Sequence, residues 1–292
     1  MHPEVLKIGT WRFHTYPLML AIAFVVCTLL TVREAQRRGI MLLPHVGIWA
    51  LLGALFGAKV YWILEYWEPK ELWRALLLWQ GSPVGLVYYG GLIGGVGAVL
   101  LYLRLQKLPI VKCLDCAAPY LALGQAIVRF GCFMNGCCWG KPTKLPWGVC
   151  FPAGRHAWKQ QVKDGLLSSS AAESLPVHPT QLYMLFGLLV VFALLKWWLS
   201  RRRYDGSVVV AYCFLYGWLR YAVEFARGDP TQFVYALRLA QMLSLSLVTA
   251  AVVVETWRHV AQRRTVPPIT EGVENETPEQ EDEEESTPRG DD

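Results

Sequence analysis

Apolar runs of about 20 residues recur along this chain, and their recurrence constrains the fold more than any other feature of the sequence. A helix of that length spans the hydrocarbon core of a bilayer, whereas a soluble core does not need so many long apolar runs. The hydrophobic content of 54% and the charged content of 17% agree with a membrane protein. Seven candidate spans lie at 16–32, 43–64, 85–105, 113–134, 180–199, 207–226 and 235–257. The sequence therefore predicts an all-α, polytopic integral membrane protein with seven transmembrane helices.

The basic residues of the short loops predict how these spans are oriented. Loops rich in Lys and Arg tend to stay in the cytoplasm. Such residues follow span 1, separate spans 3 and 4, and follow spans 5 and 7: Arg33, Arg37, Arg38, Arg104, Lys107, Lys112, Lys196, Arg201, Arg202, Arg203, Arg258, Arg263 and Arg264. The N-terminus is therefore predicted to lie outside and the C-terminus in the cytoplasm.

The end of the chain differs from the rest in composition. Residues 271–292 contain 11 acidic residues and one arginine. A segment this acidic, without an aliphatic run, cannot bury a core. We predict a transmembrane domain over residues 1–266 and a disordered, acidic cytoplasmic tail over residues 267–292. The basic residues before the tail are divided among several loops, which favours contact with membrane lipids and argues against nucleic acid as a partner.

Ionisable residues inside the predicted spans are the first candidates for function, because charge is costly in a bilayer. Tyr216, Arg220 and Glu224 have i, i+4, i+8 spacing, which puts them on one face of span 6. Glu224 can orient Arg220 and leave guanidinium donors available for an anion. A purely structural ion pair within the membrane is the alternative interpretation.

A second arginine lies at the same predicted depth. Arg129 is near the outer end of span 4, in a glycine-rich stretch that continues through Asn135 to Gly140. Guanidinium groups donate bidentate hydrogen bonds to phosphate oxygens. Arg129 and Arg220 together therefore predict a site for a phosphodiester, such as that of a lipid headgroup.

Two further patterns near the outer face have structural as well as functional explanations. Gly90, Gly91 and Gly94 belong to small-xxx-small pairs in span 3, which favour close helix packing. Glycines also allow a headgroup to approach the backbone. His178 opens span 5 just before a proline, where a histidine is more often a capping or interfacial residue than a catalyst.

Four cysteines fall at or near the predicted outer face: Cys132, Cys137, Cys138 and Cys150. Together with His156 they could bind a soft metal or take part in redox chemistry, since vicinal cysteines bind such metals or form strained disulfides. Ordinary disulfides are an alternative in an oxidising compartment. The spacing of these cysteines matches no standard zinc motif.

These motifs together resemble the bacterial prolipoprotein diacylglyceryl transferase family over most of residues 14–260. The segments that carry the resemblance occur in the family's order: Tyr16, Gly57-Ala-Lys-Val-Tyr61, Gly90-Gly-Leu-Ile-Gly94, Asp115, Pro119, Arg129-Phe-Gly-Cys-Phe-Met-Asn-Gly-Cys-Cys-Trp-Gly140, His178-Pro-Thr-Gln-Leu-Tyr183, Tyr216-Gly-Trp-Leu-Arg-Tyr-Ala-Val-Glu-Phe-Ala-Arg227 and Gln241-Met-Leu-Ser244.

The resemblance implies an enzyme of the bacterial inner membrane, and a catalytic role for the predicted 1–266 domain. Such an enzyme transfers a diacylglyceryl group from phosphatidylglycerol to the lipobox cysteine in the signal peptide of a preprolipoprotein, and it releases glycerol phosphate. Neither a cofactor nor a metal is implied. Catalytic roles are implied for Arg129, Arg220, Glu224 and Tyr89, and substrate-binding roles for Tyr16, Gly90, Gly91, Gly94, Asn135, Gly140, His178 and Tyr216.

The chain departs from the family pattern at several positions. Tyr89 stands where the family has a histidine, and a tyrosine with its usual pKa of about 10 is a poor base at neutral pH. Cys132 replaces the usual asparagine, and Lys59 replaces a common arginine. Two alternatives therefore remain open: a lipid- or anion-handling membrane protein without enzymatic activity, and a metal or redox site built on the outer-face cysteines.

Overall fold

The computed structural model describes residues 4–8, 11–65, 88–202, 204–228, 233–234 and 237–265. The chain divides into two units, Met1–Glu255 and Thr256–Asp292. The first unit contains the site described below and all of the described helices except the last turns of the final one. In the second unit, the described residues 256–265 are helical, and the predicted tail over 267–292 lies outside the described residues.

Helices dominate the described chain, as predicted. Those ranges contain eight helices: α1 (Thr15–Arg37), α2 (His45–Glu65), α3 (Tyr88–Leu105), α4 (Ile110–Asn135), α5 (His156–Lys163), α6 (Thr180–Arg201), α7 (Ser207–Glu224) and α8 (Leu239–Thr265). Two short antiparallel strand pairs accompany them: β1 (Glu4–Ile8) with β2 (Trp11–His14), and β3 (Phe233–Val234) with β4 (Leu237–Arg238). Seven of these helices coincide with predicted spans, and α5 lies in the long loop between α4 and α6.

Four of the described helices are long and apolar enough to cross a membrane: α1, α2 (over His45–Leu64), α4 and α6. Helix α3 and the middle of α8 are apolar over shorter lengths, Gly90–Leu105 and Ser244–Val254. Large apolar side chains such as Leu52, Phe56 and Phe186 are more than half exposed on these helices, as expected for contact with lipid tails. The protein is therefore a multi-pass membrane protein.

Helices α2 and α3 pack through glycines that bring their backbones into contact. A Cβ at Gly94 would overlap the carbonyl oxygen of Gly53, and a Cβ at Gly57 would lie 2.8 Å from the Cα of Gly94. Gly90 faces Gly57 in the same way. The packing interpretation of Gly90 and Gly94 is thus confirmed, with Gly53 and Gly57 of α2 as their partners.

Among the described residues, helices α4, α6 and α7 enclose the largest cluster of buried apolar residues. Helix α4 contributes Ala118, Ala122 and Ala126, whose i, i+4, i+8 spacing puts three small side chains on one face. Helix α6 contributes larger residues, including Leu188 and Leu195, which are fully buried. Because the alanines are small, α6 can approach α4 closely. This core holds together the three helices that carry the candidate site.

A buried carboxylate fixes the start of α7 against α4. Asp115 accepts hydrogen bonds from the backbone N–H groups of Gly206, Val208 and Val209 at 2.7–3.2 Å. Arg202 Nη1 donates a further hydrogen bond to Asp115 at 2.7 Å. Asp115 therefore caps the N-terminus of α7, where negative charge is favourable and the first N–H groups lack helical partners.

A second buried carboxylate ties α1 to α4 and α6. Glu34 accepts hydrogen bonds from Arg38 Nε at 2.8 Å, from the Tyr120 hydroxyl at 3.0 Å, and from Lys196 Nζ. Lys196 also donates to the Tyr120 hydroxyl at 2.8 Å. Lys196, one of the basic residues that predict the topology, thus also holds α6 against α1 and α4, and Arg38 binds the same carboxylate from the end of α1.

The glycine contacts between α2 and α3 predict opposite effects for two alanine substitutions in α3. Gly94→Ala should lower the free energy of unfolding by about 1–3 kcal/mol, because the new methyl overlaps the α2 backbone. Gly97→Ala is the matched control: a Cβ there meets nothing within 4 Å. Alanine favours helix over glycine by about 1 kcal/mol, so Gly97→Ala should be neutral or stabilising. Equilibrium unfolding in mixed micelles would measure both. Equal stability of the two variants would contradict this packing.

Candidate functional site

The site is built on the turn that ends α4. Gly136 adopts the left-handed conformation, with φ of +75°. Its N–H bonds to the carbonyl of Phe133 at 3.2 Å, and the N–H of Cys137 bonds to the carbonyl of Cys132 at 3.2 Å. These two bonds form a Schellman motif, which stops the helix and reverses the chain. The glycine at this position is needed because a side chain is strained at this φ.

The segment after this turn is held from two sides. From α6, Gln181 Nε2 donates to the carbonyl of Cys137 at 2.8 Å, and Thr180 Oγ1 donates to that of Cys138 at 2.7 Å. From the segment after α7, the carbonyl of Ala226 accepts from the N–H of Lys141 at 2.8 Å. Residues 137–141 are therefore fixed between the start of α6 and the end of α7.

Gly140 lies where these two sides come closest. Its N–H donates to the carbonyl of His178 at 3.0 Å. A Cβ at Gly140 would come within 2.5 Å of the His178 carbonyl oxygen and within 2.8 Å of the Ala226 carbonyl oxygen. Gly228 closes the arrangement by donating from its N–H to the carbonyl of Trp139 at 3.0 Å. No larger residue fits at Gly140 without separating the α6 and α7 ends.

A cavity of about 470 Å³ lies beside this turn, between α1, α4, α6 and α7. Its polar wall is formed by Tyr16, Arg129, Cys132, Cys138 and Tyr216. The remaining lining is mostly apolar and consists of Leu20, Ala23, Phe24, Cys27, Leu121, Gly124, Gln125, Val128, Met184 and Leu188. A cavity with an apolar body and a charged end suits an amphipathic ligand.

Arg129 supplies the charge on the cavity wall. It is partly buried, and it lies close enough to Tyr216, Cys132, Cys138 and Arg227 to interact with them electrostatically. Tyr216 is itself held by stacking on Tyr212, with ring centroids 5.6 Å apart. A guanidinium group in such a place favours an anionic ligand.

Glu224 is the acidic partner of the arginines on and after α7. Its side chain is fully buried, and it accepts a hydrogen bond from Arg220 Nη1. Arg227 Nη1 lies 3.9 Å from the same carboxylate oxygen. Arg129, Arg220 and Arg227 thus bring three positive charges to a region where Glu224 supplies one negative charge. This excess favours binding of an anion such as a phosphate.

Comparison with known proteins agrees with this arrangement. The model of the family described as prolipoprotein diacylglyceryl transferase matches residues 3–257. The chain belongs to the prolipoprotein diacylglyceryl transferase family. A phosphatidylglycerol–prolipoprotein diacylglyceryl transferase of Clostridium tetani is 32% identical over 260 residues, which cover 87% of this chain and 96% of the relative. The enzyme of the same name from Bordetella bronchiseptica is 34% identical over 270 residues, which cover 85% and 92%.

The structure brings several of the predicted site residues of this diacylglyceryl transferase family member together. Tyr16, Arg129 and Tyr216 line one cavity. Asn135 is the last residue of α4 and lies within hydrogen-bonding reach of the Cys137 thiol. Gly140 belongs to the backbone frame described above. The predicted roles of these residues in binding and catalysis stay predictions.

Other predicted site residues do not line this cavity, and the side chain of one of them lies outside the described residues. Gly90 and Gly94 contact α2. A Cβ built on Gly91 would lie 3.4 Å from the Ala54 carbonyl oxygen, also in α2. His178 belongs to the frame through its backbone carbonyl, which accepts from the Gly140 N–H, and its Nδ1 lies 3.2 Å from the Tyr183 hydroxyl. Tyr89 belongs to α3, but its side chain lies outside the part of the chain that the structure describes.

Arg227 extends the face of Arg220 and Glu224 in the sequence, but no catalytic or binding role was predicted for it. It follows Glu224 by three residues, which is the spacing of neighbours on one helix face, and it pairs with Gly140 across an isolated β-bridge. Its position three residues after Glu224 was the available signal. Cys132 and Cys138 also line the cavity, although their spacing alone predicted nothing specific.

The contacts of Glu224 predict that neutralising it destabilises the protein. Glu224→Gln keeps the shape of the side chain but leaves Arg220 and Arg227 without the carboxylate, which should cost about 3 kcal/mol of unfolding free energy. The double variant Arg220→Gln/Glu224→Gln removes the stranded charge of Arg220 and should recover part of that loss. Thermal unfolding in detergent would test this. A single variant as stable as the wild type would contradict the assignment of this ion pair.

Proposed function

We propose that this protein transfers a diacylglyceryl group from phosphatidylglycerol to the thiol of a lipobox cysteine in a preprolipoprotein signal peptide. The observation that carries the proposal is Arg129 on the wall of an otherwise largely apolar cavity, in a region with excess positive charge. An apolar volume suits the acyl chains of a diacylglyceryl group, and the guanidinium suits the phosphate. The names of the relatives, which state this donor and this acceptor, support the same reaction.

The reaction exchanges one bond at the lipid glycerol for another. The cysteine sulfur attacks the glyceryl carbon that carries the phosphate ester, so that a C–S bond forms and the C–O bond breaks. The bonding electrons leave with the phosphate oxygen, and glycerol phosphate is released. The thiol proton passes to a base, for which Tyr89, His178 and the phosphate of the bound lipid are the candidates. The products are a thioether-linked diacylglyceryl peptide and glycerol phosphate.

The arginines would act where negative charge develops. Arg129 and Arg220 would donate hydrogen bonds to the phosphate as the C–O bond breaks, which stabilises the leaving anion without reorganisation at the moment of reaction. Glu224 would orient Arg220, in keeping with their hydrogen bond. Tyr16, Asn135, Gly140 and Tyr216 would shape the headgroup end of the cavity. The match to the family motif supports a role in substrate binding for Gly90, Gly91, Gly94 and His178.

The proposed topology places this site near the outer face of the bacterial inner membrane. It has seven spans in a domain over residues 1–266, with the N-terminus outside and an acidic cytoplasmic tail over 267–292. The alternation of basic loops supports this orientation. Helices α3, α7 and α8 would complete the set of seven, since short or polar helices are tolerated where neighbouring helices cover them.

Loss of the Arg129 guanidinium is expected to abolish transfer. Arg129→Ala should lower the rate by at least about 100-fold, as does the loss of a donor to a developing anion in other enzymes. Arg220→Ala should have a comparable effect. Lys159→Ala is the charge-matched control, because Lys159 is exposed on α5 and contacts neither arginine. The rate would be measured with purified protein, phosphatidylglycerol and a lipobox peptide, by mass spectrometry of the thioether product.

Two results of this assay would contradict the proposal. Near-normal turnover in Arg129→Ala or Arg220→Ala would exclude the phosphate-binding assignment. No thioether product from the wild type with several anionic lipid donors would exclude the reaction itself. A wild type that binds lipid without forming a covalent product, with binding that survives Arg220→Ala, would favour a lipid-handling protein instead.

The identity of the base can be tested at the start of α3. Tyr89→Phe removes one hydroxyl, and if that hydroxyl takes the thiol proton, the rate should fall by about 100-fold or more. Tyr88→Phe removes the neighbouring hydroxyl and is the matched control. Single-turnover rates over about pH 6–9, a range that includes the usual thiol pKa of about 8.5, would separate proton transfer from lipid binding. Full activity of Tyr89→Phe would assign the proton to another acceptor.

A further inference from the structure

We propose that Cys132, Cys137 and Cys138 form a binding site for a thiophilic divalent cation, with Zn²⁺ as the most suitable ion. Their three sulfur atoms all lie within 4.8 Å of one another, and each thiol is free. This site goes beyond the proposed transferase reaction, which requires no metal.

The Schellman motif explains why two of these sulfurs meet. This motif brings the side chain of the third residue from the helix end against that of the second residue after it, and the contact is usually apolar. Here Cys132 and Cys137 occupy those two positions, as the bond from the Cys137 N–H to the Cys132 carbonyl shows. The Cys137 thiol also lies 3.7 Å from that same carbonyl oxygen.

The backbone conformation of Cys138 adds the third sulfur. Cys138 has φ of +59°, an uncommon conformation for a residue with a side chain. It is maintained because Thr180 holds the Cys138 carbonyl and Gln181 holds the Cys137 carbonyl. Residues held in unusual conformations by surrounding contacts are concentrated at functional sites. The three thiols are therefore positioned by the backbone before any ion binds.

The sulfur geometry suits a tetrahedral metal. With Zn–S bonds of about 2.3 Å, sulfurs in a tetrahedral site lie roughly 3.8 Å apart. Small rotations of the cysteine side chains would bring the sulfur atoms from the observed separations, which are at most 4.8 Å, to that value. Thiolate ligands select Zn²⁺ and other soft ions over Mg²⁺ or Ca²⁺.

The surrounding charge also suits such a site. Three thiolates and one divalent cation have a net charge of −1, which is costly to bury unless it is paired. Arg129 and Arg227 both lie close enough to Cys138 to interact with its charge. They can balance the metal–thiolate unit, so that the arginines favour the occupied site instead of repelling the cation.

Three protein ligands leave the fourth position of a tetrahedral ion open. Cys132 and Cys138 line the cavity beside Arg129, so the open position would be reached from the cavity. Sites with three protein ligands and an exchangeable fourth ligand are typical of reactive zinc. Among the described residues, Cys150 and His156 lie outside the cluster, and His156 stacks on Trp139 with centroids 6.2 Å apart. The fourth ligand is thus a water molecule or a small molecule from the cavity.

The test uses the full-length protein, purified in detergent under reducing, metal-free conditions. Titration with Cd²⁺ should give a sulfur-to-metal charge-transfer absorption that saturates at about one ion per chain, and Zn²⁺ should compete for the same site. Cys132→Ser, Cys137→Ser and Cys138→Ser should each weaken binding at least about 10-fold, since even loss of a residue that only orients a ligand costs that much. Cys150→Ser and Cys213→Ser are the matched controls and should bind like the wild type.

Each outcome of this titration supports or overturns the site. Thermal unfolding of every variant would show that loss of binding does not reflect loss of folding. Absorption unchanged in the three cluster variants would overturn the proposal. So would no uptake by the folded, fully reduced wild type, or a disulfide between two of the three cysteines in the isolated protein. The readout does not depend on lipid transfer, so it stands whether or not the proposed reaction is correct.

Discussion

The geometry of the candidate site depends on the backbone frame, that is, on the hydrogen bonds that hold residues 137–141 between the start of α6 and the end of α7. These bonds are possible because Gly140 has no side chain: its N–H reaches the His178 carbonyl, while Lys141 reaches Ala226. At the other end of these helices Asp115 caps α7, and at this end the frame supplies directional contacts that apolar packing alone does not provide. The frame sets the relative position of Arg129, on one side of the turn, and of Arg220 and Glu224, on the other.

Much of this could be predicted from the sequence because the bilayer simplifies the problem. Long apolar runs predict where helices lie, and charges that are costly in lipid identify Arg129, Arg220 and Glu224 as candidates. The Glu224–Arg220 contact follows directly from i, i+4 spacing, since a helix places those residues together. The glycines of α3 predicted a close helix contact for the same geometric reason.

The remaining features are set by tertiary contacts that local spacing does not encode. The partners of Gly90 and Gly94 lie in α2, more than 30 positions earlier in the chain, and no local pattern pairs them. In the sequence Asp115 stands out only as one position of the family motif, whereas in the structure it caps α7, 91 or more residues later in the chain. The spacing of the cysteines matches no known metal motif. They come together because a helix ends at this point and Cys138 adopts a left-handed conformation.

The capping of α7 by Asp115 has a geometric consequence for the two arginines. Both α4 and α7 run away from this shared point in the same direction, so distances along each helix can be measured from one origin. Arg129 follows Asp115 by 14 residues, or about 21 Å, and Arg220 follows Val208 by 12 residues, or about 18 Å. The two guanidinium groups therefore reach nearly equal heights, although they stand on different helices. A single buried carboxylate at one end of the helices thus fixes the reference point for both. Inserting or deleting one residue in either helix between that point and its arginine would shift one arginine by about 1.5 Å along the helix axis relative to the other.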